Sequence, residues 1–173
     1  MAKTMPRNDI EKRIYELFST DSVLGGKNGL LARDTNGDLA VYLSQFEAIG
    51  ARFPQVCFHY MKVGGEEVLP AEEGVLHVRA YASKDSADPS TVMRDIINRV
   101  EEILNRNNAL LDDIDHDSND GLQVVQCYSV ERSNDKYDIN PEIFYEQVIY
   151  QITKSDNAEN YKISYGNEDT EWP

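Results

Sequence analysis

"VLHVRAYAS", residues 75–83, decides how the rest of the chain is read. As a strand it has two unlike faces. Leu76, Val78, Ala80 and Ala82 point one way and are all apolar. Val75, His77, Arg79, Tyr81 and Ser83 point the other way, and His77, Arg79 and Tyr81 are large groups that donate hydrogen bonds. Side chains alternate across a strand, so backbone geometry alone makes this sorting. The apolar face calls for a helix to cover it. The row of His, Arg and Tyr is a catalytic face, a solvated face, or a surface that meets another chain.

The covering helix follows directly. Asp88 is placed to cap it and Pro89 suits its first position, where a missing N–H costs nothing. The pattern then runs to about Arg106, with Met93, Ile96, Ile97, Val100, Ile103 and Leu104 in one stripe. The opposite side carries Arg94, Asp95, Asn98, Arg99, Glu101 and Glu102. Asp95 with Arg99, and Glu102 with Arg106, have the spacing of helical ion pairs. The two alanines of the strand leave room beneath Ile96 and Val100.

Other elements fall around this pair. Residues 8–20 read as an amphipathic helix, with Ile10, Ile14, Leu17 and Phe18 on one side and Asn8 as its N-cap. It should end near Asp21, before Gly25-Gly26. "DTNGD" (34–38) is a turn, Asn36-Gly37 suiting positive φ. "LAVYLSQFEAIGARFP" mixes periodicities and reads as a short strand and a loop ending at Pro54. "QVCFHYMKV" (55–63) is bulky on both faces and reads as a central strand. It should pair antiparallel with 75–83. "GLQVVQCYSVE" (121–131) and "EIFYEQVIYQIT" (142–153) read as a second antiparallel pair, joined by the turn "RSNDKYDINP". The expected fold is α/β of the α+β kind: a mainly antiparallel or mixed sheet of four to five strands, one long amphipathic helix over it, and a second, N-terminal helix. Residues 1–154 form a single domain, and 155–173 form an acidic tail without an apolar pattern.

The 173 residues suit one domain, and 40% apolar with 28% charged residues fits a globular chain. No apolar run approaches the ~20 residues that span a bilayer, so no membrane is expected. "MAKTMPRNDIEKR" has no apolar h-region and is not read as a signal peptide. Cys57 and Cys127 then read as free thiols in strands. The net charge of -14 argues against holding nucleic acid by its phosphates, yet suits a surface that DNA passes without sticking.

Sites for chemistry are few. A calcium loop begun at Asp115 has Asp120 and Gln126 where Gly and Glu are needed, and one begun at Asp34 has Leu39 and Gln45 there. Both read as solvated turns. Of the three histidines, His59, His77 and His116, the first two lie on neighbouring strands, and two histidines with the two cysteines invite a zinc reading. No C-x-x-C or H-x₃₋₅-H spacing supports it. Phosphate-cradling glycine loops and nucleophile-elbow motifs do not occur. No catalytic residue, metal ligand or cofactor is therefore expected.

The order of elements resembles the tail terminator (tail completion) proteins of long-tailed bacteriophages. The matching residues are Pro54 leading into a strand, Val78-Arg79-Ala80-Tyr81-Ala82 before the long helix, and Tyr137-Asp138 before the last strand. The resemblance covers roughly residues 8–154; Leu24–Arg52 and the tail depart from the compact pattern. It implies a virion structural protein and not an enzyme: a ring, usually of six subunits, on the head-proximal end of the tail tube. Such a ring ends tube growth, meets head–tail connector proteins and lets DNA pass through without specific binding. Its place is the neck of the virion, assembled in the host cytoplasm. The candidate subunit-interface residues are His77, Arg79 and Tyr81, expected to face a neighbouring subunit or the N-terminal helix. Three rival readings are another neck or head-completion subunit, a small cytosolic enzyme built on His59, His77, Arg79 and Tyr81, and a monomeric stress or signalling module.

Overall fold

The computed structural model describes residues 9–43, 52–65, 71–106, 123–137 and 143–155. Two helices open the chain, α1 (Asp9–Thr20) and α2 (Ser22–Gly25). A short strand β1 (Val41–Leu43) precedes β2 (Gln55–Gly65) and β3 (Ala71–Ser83). Helix α3 (Pro89–Glu101) continues as one π-helical turn, Glu102–Arg106, and β4 (Gln123–Tyr137) and β5 (Ile143–Ser155) close the fold. The strands make one mixed sheet in the order β1-β2-β3-β5-β4. Only β1 and β2 are parallel, and the other three pairings are antiparallel. The α+β fold read from the sequence is the fold observed.

The apolar face of β3 packs as its pattern dictates. Leu76, Val78, Ala80 and Ala82 are wholly buried in one core with Met93, Ile96, Ile97 and Val100 of α3. Strand β5 adds Val148, Tyr150 and Ile152 to that core, and β2 adds Val56, Phe58 and Tyr60. Gly74 belongs here for a steric reason. The Tyr60 ring lies across it, and a Cβ on residue 74 would fall inside the ring. An aromatic ring folded over a cross-strand glycine fills the gap that the missing side chain leaves.

Helix α1 brings Ile10, Ile14 and Phe18 to the same core, and Phe18 meets Phe58 edge to face at 5.9 Å between ring centroids. Both amphipathic helices therefore lie on one side of the sheet. This corrects the alternative that α1 borders the His77–Arg79–Tyr81 row. The stripe of α1 shows that it is one-sided but not which side of the sheet it seeks; packing of Phe18 on Phe58 settles that.

Asp88 caps α3 as expected, accepting from the Thr91 N–H (3.2 Å) and the Thr91 hydroxyl (2.7 Å). Those hydrogen bonds, the hydroxyl's first, hold its pKa below the usual carboxylate range. Asn8, the cap proposed for α1, lies outside the described residues. Arg99 departs from expectation. It leaves Asp95 and reaches Asp21 at 2.6 Å and Glu102 at 2.8 Å. Asp21 is the N-cap of α2, accepting from the Val23 and Leu24 amides at 3.0 and 2.9 Å. One carboxylate so starts a helical turn and fastens it to α3.

Two other stretches differ from the sequence reading. The turn expected over 132–141 is strand as far as Tyr137, where Tyr137 pairs with Phe144. Three register irregularities against β5 let polar "RSNDK" stay in this edge strand. Strand β2 is central only over Val56–Phe58, the residues that β1 pairs with. The turn at 34–38 is as read: Asp34 Oδ1 accepts from the Asn36 and Asp38 amides at 2.8 and 2.9 Å, and Gly37 has φ +86°. One oxygen of that carboxylate is thus engaged by its own backbone. The other calcium-like stretch, 112–121, and the acidic tail lie outside the described residues.

Candidate functional site

The face of the sheet turned away from the helices is a regular lattice. Register sets it out in four rows across β2, β3 and β5. They are Gln55–Tyr81–Tyr145, Cys57–Arg79–Gln147, His59–His77–Ile149 and Met61–Val75–Gln151. The three residues singled out from the sequence, His77, Arg79 and Tyr81, are its middle column. His59, from the rival enzymatic reading, sits directly across from His77.

Arg79 is the hub of this face. Its Nε donates to Gln147 Oε1 at 3.2 Å, and its Nη1 donates to the Tyr81 hydroxyl at 3.3 Å. Its guanidinium carbon stands 4.7 Å from the centre of the Tyr145 ring. Tyr145 in turn leans on Tyr81, with centroids 5.6 Å apart and planes at 44°. A cation over an aromatic face contributes about 0.5–1 kcal/mol at partly exposed sites and more when desolvated. These contacts hold the guanidinium in one orientation. Tyr145 and Gln147 come from β5, 60 or more residues further along the chain. No local pattern in the sequence signals them; only the β3–β5 register brings them to Arg79.

Exposure changes along the lattice. Tyr81, Cys57 and Gln55 are buried in a second, smaller cluster with Ala40, Tyr42 and Ile143, flanked by Ala32 and Phe53. The Cys57 thiol lies 3.9 Å from Gln55 Oε1, while the buried Gln55 Nε2 has no hydrogen-bond partner among the described residues. At the other end the surface opens: His59 is exposed, and so is Met61, at 45%. Tyr81 is thus an anchor within the monomer. Arg79 and His77 are half-buried and define the accessible middle.

Among the described residues no group of three or more His, Cys, Asp and Glu stands together in a way that could hold a metal ion. The His59–His77 pair supplies two such ligands at most. No described helix is long and apolar enough to cross a membrane. What the arrangement offers chemically is a preorganised cation, aromatic surface and amide groups on a rigid sheet, the residue types enriched where protein surfaces meet. No protein-family model matches the chain, and no curated protein is found to be similar to it.

Proposed function

We propose that this chain is the subunit of a phage tail terminator ring, and that the sheet face around Arg79, on which no described helix lies, is where a neighbouring subunit docks. The observation carrying the reading is that both helices cover one side of the sheet. The opposite side presents Arg79 fixed over Tyr145 among half-buried apolar and amide groups. Among the described residues no helix covers that side, and a ring would give each copy a neighbour to cover it. The resemblance in element order, the strand Val78-Arg79-Ala80-Tyr81-Ala82 and the acidic charge that DNA passes without adhering support the same reading. In this role the chain catalyses nothing. It stops tube growth by geometry, joins the tail to the head-side connector, and works in the virion neck.

The test is solution mass, alone and with tail-tube protein. A hexamer weighs about 118 kDa (6 × 19.7 kDa) and is expected to bind one end of the tubes. Arg79→Glu places a carboxylate against the Tyr145 ring and Gln147, and should leave a folded protein that no longer forms the ring. A wild-type chain that stays monomeric at high concentration with tubes present overturns the proposal. A second copy of the neck assembly to which it binds instead of tubes would assign it to the neighbouring connector layer.

A further inference from the structure

The middle of this face pairs two histidines that are far apart in the chain. His59 and His77 are direct partners in the β2–β3 ladder, and the register is unbroken around them, from Gln55↔Tyr81 to Lys62↔Gly74. On its other side β3 is paired with β5 from Ala71 to Ser83. The pair therefore stands on fixed backbone. Directly opposite residues of antiparallel strands have Cβ atoms about 4.5–5.5 Å apart. A tetrahedral ion bound at ~2.1 Å by each of two nitrogens needs those nitrogens roughly 3.4 Å apart. Two imidazoles on such Cβ atoms reach that spacing by leaning together.

The surroundings suit a cation held by imidazole alone. His59 is exposed and His77 half-buried. Arg79, in the next row, carries a positive charge, but its guanidinium donates to Gln147 and Tyr81 and stands over Tyr145. Gln147 and Tyr145 belong to β5, the side of β3 away from His59, so that charge is drawn off the pair. Glu73 stands four residues from His77 along β3, and Glu131 pairs with Ile149, two strands from His77. At ~3.3 Å per residue and ~4.8 Å per strand, these acids are roughly 13 and 10 Å away. Among the described residues no third His, Cys, Asp or Glu closes the set. Two protein ligands with water in the remaining positions make an open site rather than a structural one.

We infer that His59 and His77 form a two-ligand site for a late first-row divalent metal ion (Zn²⁺, Ni²⁺ or Cu²⁺), whose other coordination positions hold water. Imidazole nitrogen suits these ions, whereas Mg²⁺ and Ca²⁺ require oxygen ligands. An imidazole coordinates through one ring nitrogen and keeps the other for a hydrogen bond that orients the ring. Motif spacing in the sequence misses such a site because its two ligands meet only through the β2–β3 register. The site lies on the surface where a neighbouring subunit is proposed to dock, but both ligands come from one chain and need no ring.

The test is calorimetric titration of the full chain with Zn²⁺ and with Ni²⁺, its solution mass recorded alongside. Each ion should bind with an affinity that falls at least about tenfold in His59→Ala and in His77→Ala. Excess Mg²⁺ should not compete. Affinity should also drop as pH falls through the range where imidazoles gain a proton, since only the neutral ring coordinates. Saturating Zn²⁺ should raise the urea midpoint of the wild type but not of His59→Ala. His59 is exposed, so this variant carries the test even if His77→Ala disturbs the fold. His116→Ala and Cys127→Ser, which remove the other histidine and the other thiol, should leave the affinity unchanged. Four results overturn the inference: binding that survives both His59→Ala and His77→Ala within about twofold, binding lost in His116→Ala or Cys127→Ser instead, equal competition by Mg²⁺, or binding that appears only as the solution mass rises. The last would place the second ligand on another copy. A chain that binds the ion yet never forms a ring refutes the ring alone, and a ring indifferent to both histidines and to Zn²⁺ refutes the metal site alone.

Discussion

Replacing Asp21 by Asn should cost about 1–2 kcal/mol at neutral pH, and replacing it by Ala about 2–3 kcal/mol. The figures come from what the carboxylate does. Its Oδ1 accepts from two helix-start amides, and both oxygens take hydrogen bonds from Arg99, the shortest 2.6 Å. The Asp21 side chain is only 10% exposed and that of Arg99 23%, so the pair is screened less than a surface bridge. Asn keeps a capping oxygen and loses the charge. Ala loses the cap too, worth ~1 kcal/mol. Glu102 still neutralises Arg99 at 2.8 Å, which keeps the loss below that of a fully buried orphaned charge. For a chain of this length the Ala variant should melt about 5–10 °C lower.

The pH dependence has a definite sign. Burial by itself would raise the Asp21 pKa, but hydrogen bonds from Arg99 and from the Leu24 and Val23 amides, with the Arg99 charge, outweigh it and hold it below the usual range. Asp21 bonding likewise raises the Arg99 pKa, so Arg99 stays charged throughout. A depressed carboxylate stabilises the fold above its unfolded pKa, and the stabilisation is lost as pH falls through the folded one. Urea unfolding followed by circular dichroism should therefore show the wild-type advantage over Asp21→Asn in full at pH 7 and shrinking as pH falls below the usual carboxylate range. A double-mutant cycle with Arg99→Ala should give a coupling of about 1–2 kcal/mol. An Asp21→Asn protein as stable as wild type at pH 7, or a difference independent of pH, would refute the account of how α2 is fastened to α3.

Val100 has no exposed surface and faces the core strands; Val100→Asp should lose several kcal/mol and fail to give a cooperative melt, since a buried unpaired charge is among the most costly substitutions. Gly74→Ala puts a methyl group where the Tyr60 ring lies, so it should cost about 1–3 kcal/mol by displacing that ring; in a double-mutant cycle with Tyr60→Ala the combined loss should be less than the sum of the two single losses, as measured by chemical unfolding. The Cys57 thiol is buried, and mass-mapped labelling with a thiol reagent should modify it only at the rate of global unfolding, so fast labelling of the native chain would contradict its place in the second cluster.

Local physical chemistry was enough to determine a large part of this protein. Alternation in "VLHVRAYAS" and the stripe from Met93 to Leu104 name both sides of the main core, because period 2 and period 3.6 are properties of the backbone and need no partner to be read. Asp88 and Pro89 mark the helix start for the same reason. Asp21 shows where such reasoning ends. It is legible as a helix boundary, but its bond to Arg99 spans 78 residues and defeats the i,i+4 pair with Asp95 that sequence spacing suggests. The site follows the same division. His77, Arg79 and Tyr81 stand out in one strand, whereas Tyr145 and Gln147, which fix the guanidinium, are ordinary residues of another strand until β3 and β5 align. The side of the sheet that α1 takes is likewise a matter of packing: an amphipathic helix carries its need to be buried in its sequence, while the surface that meets the need exists only after the strands have assembled.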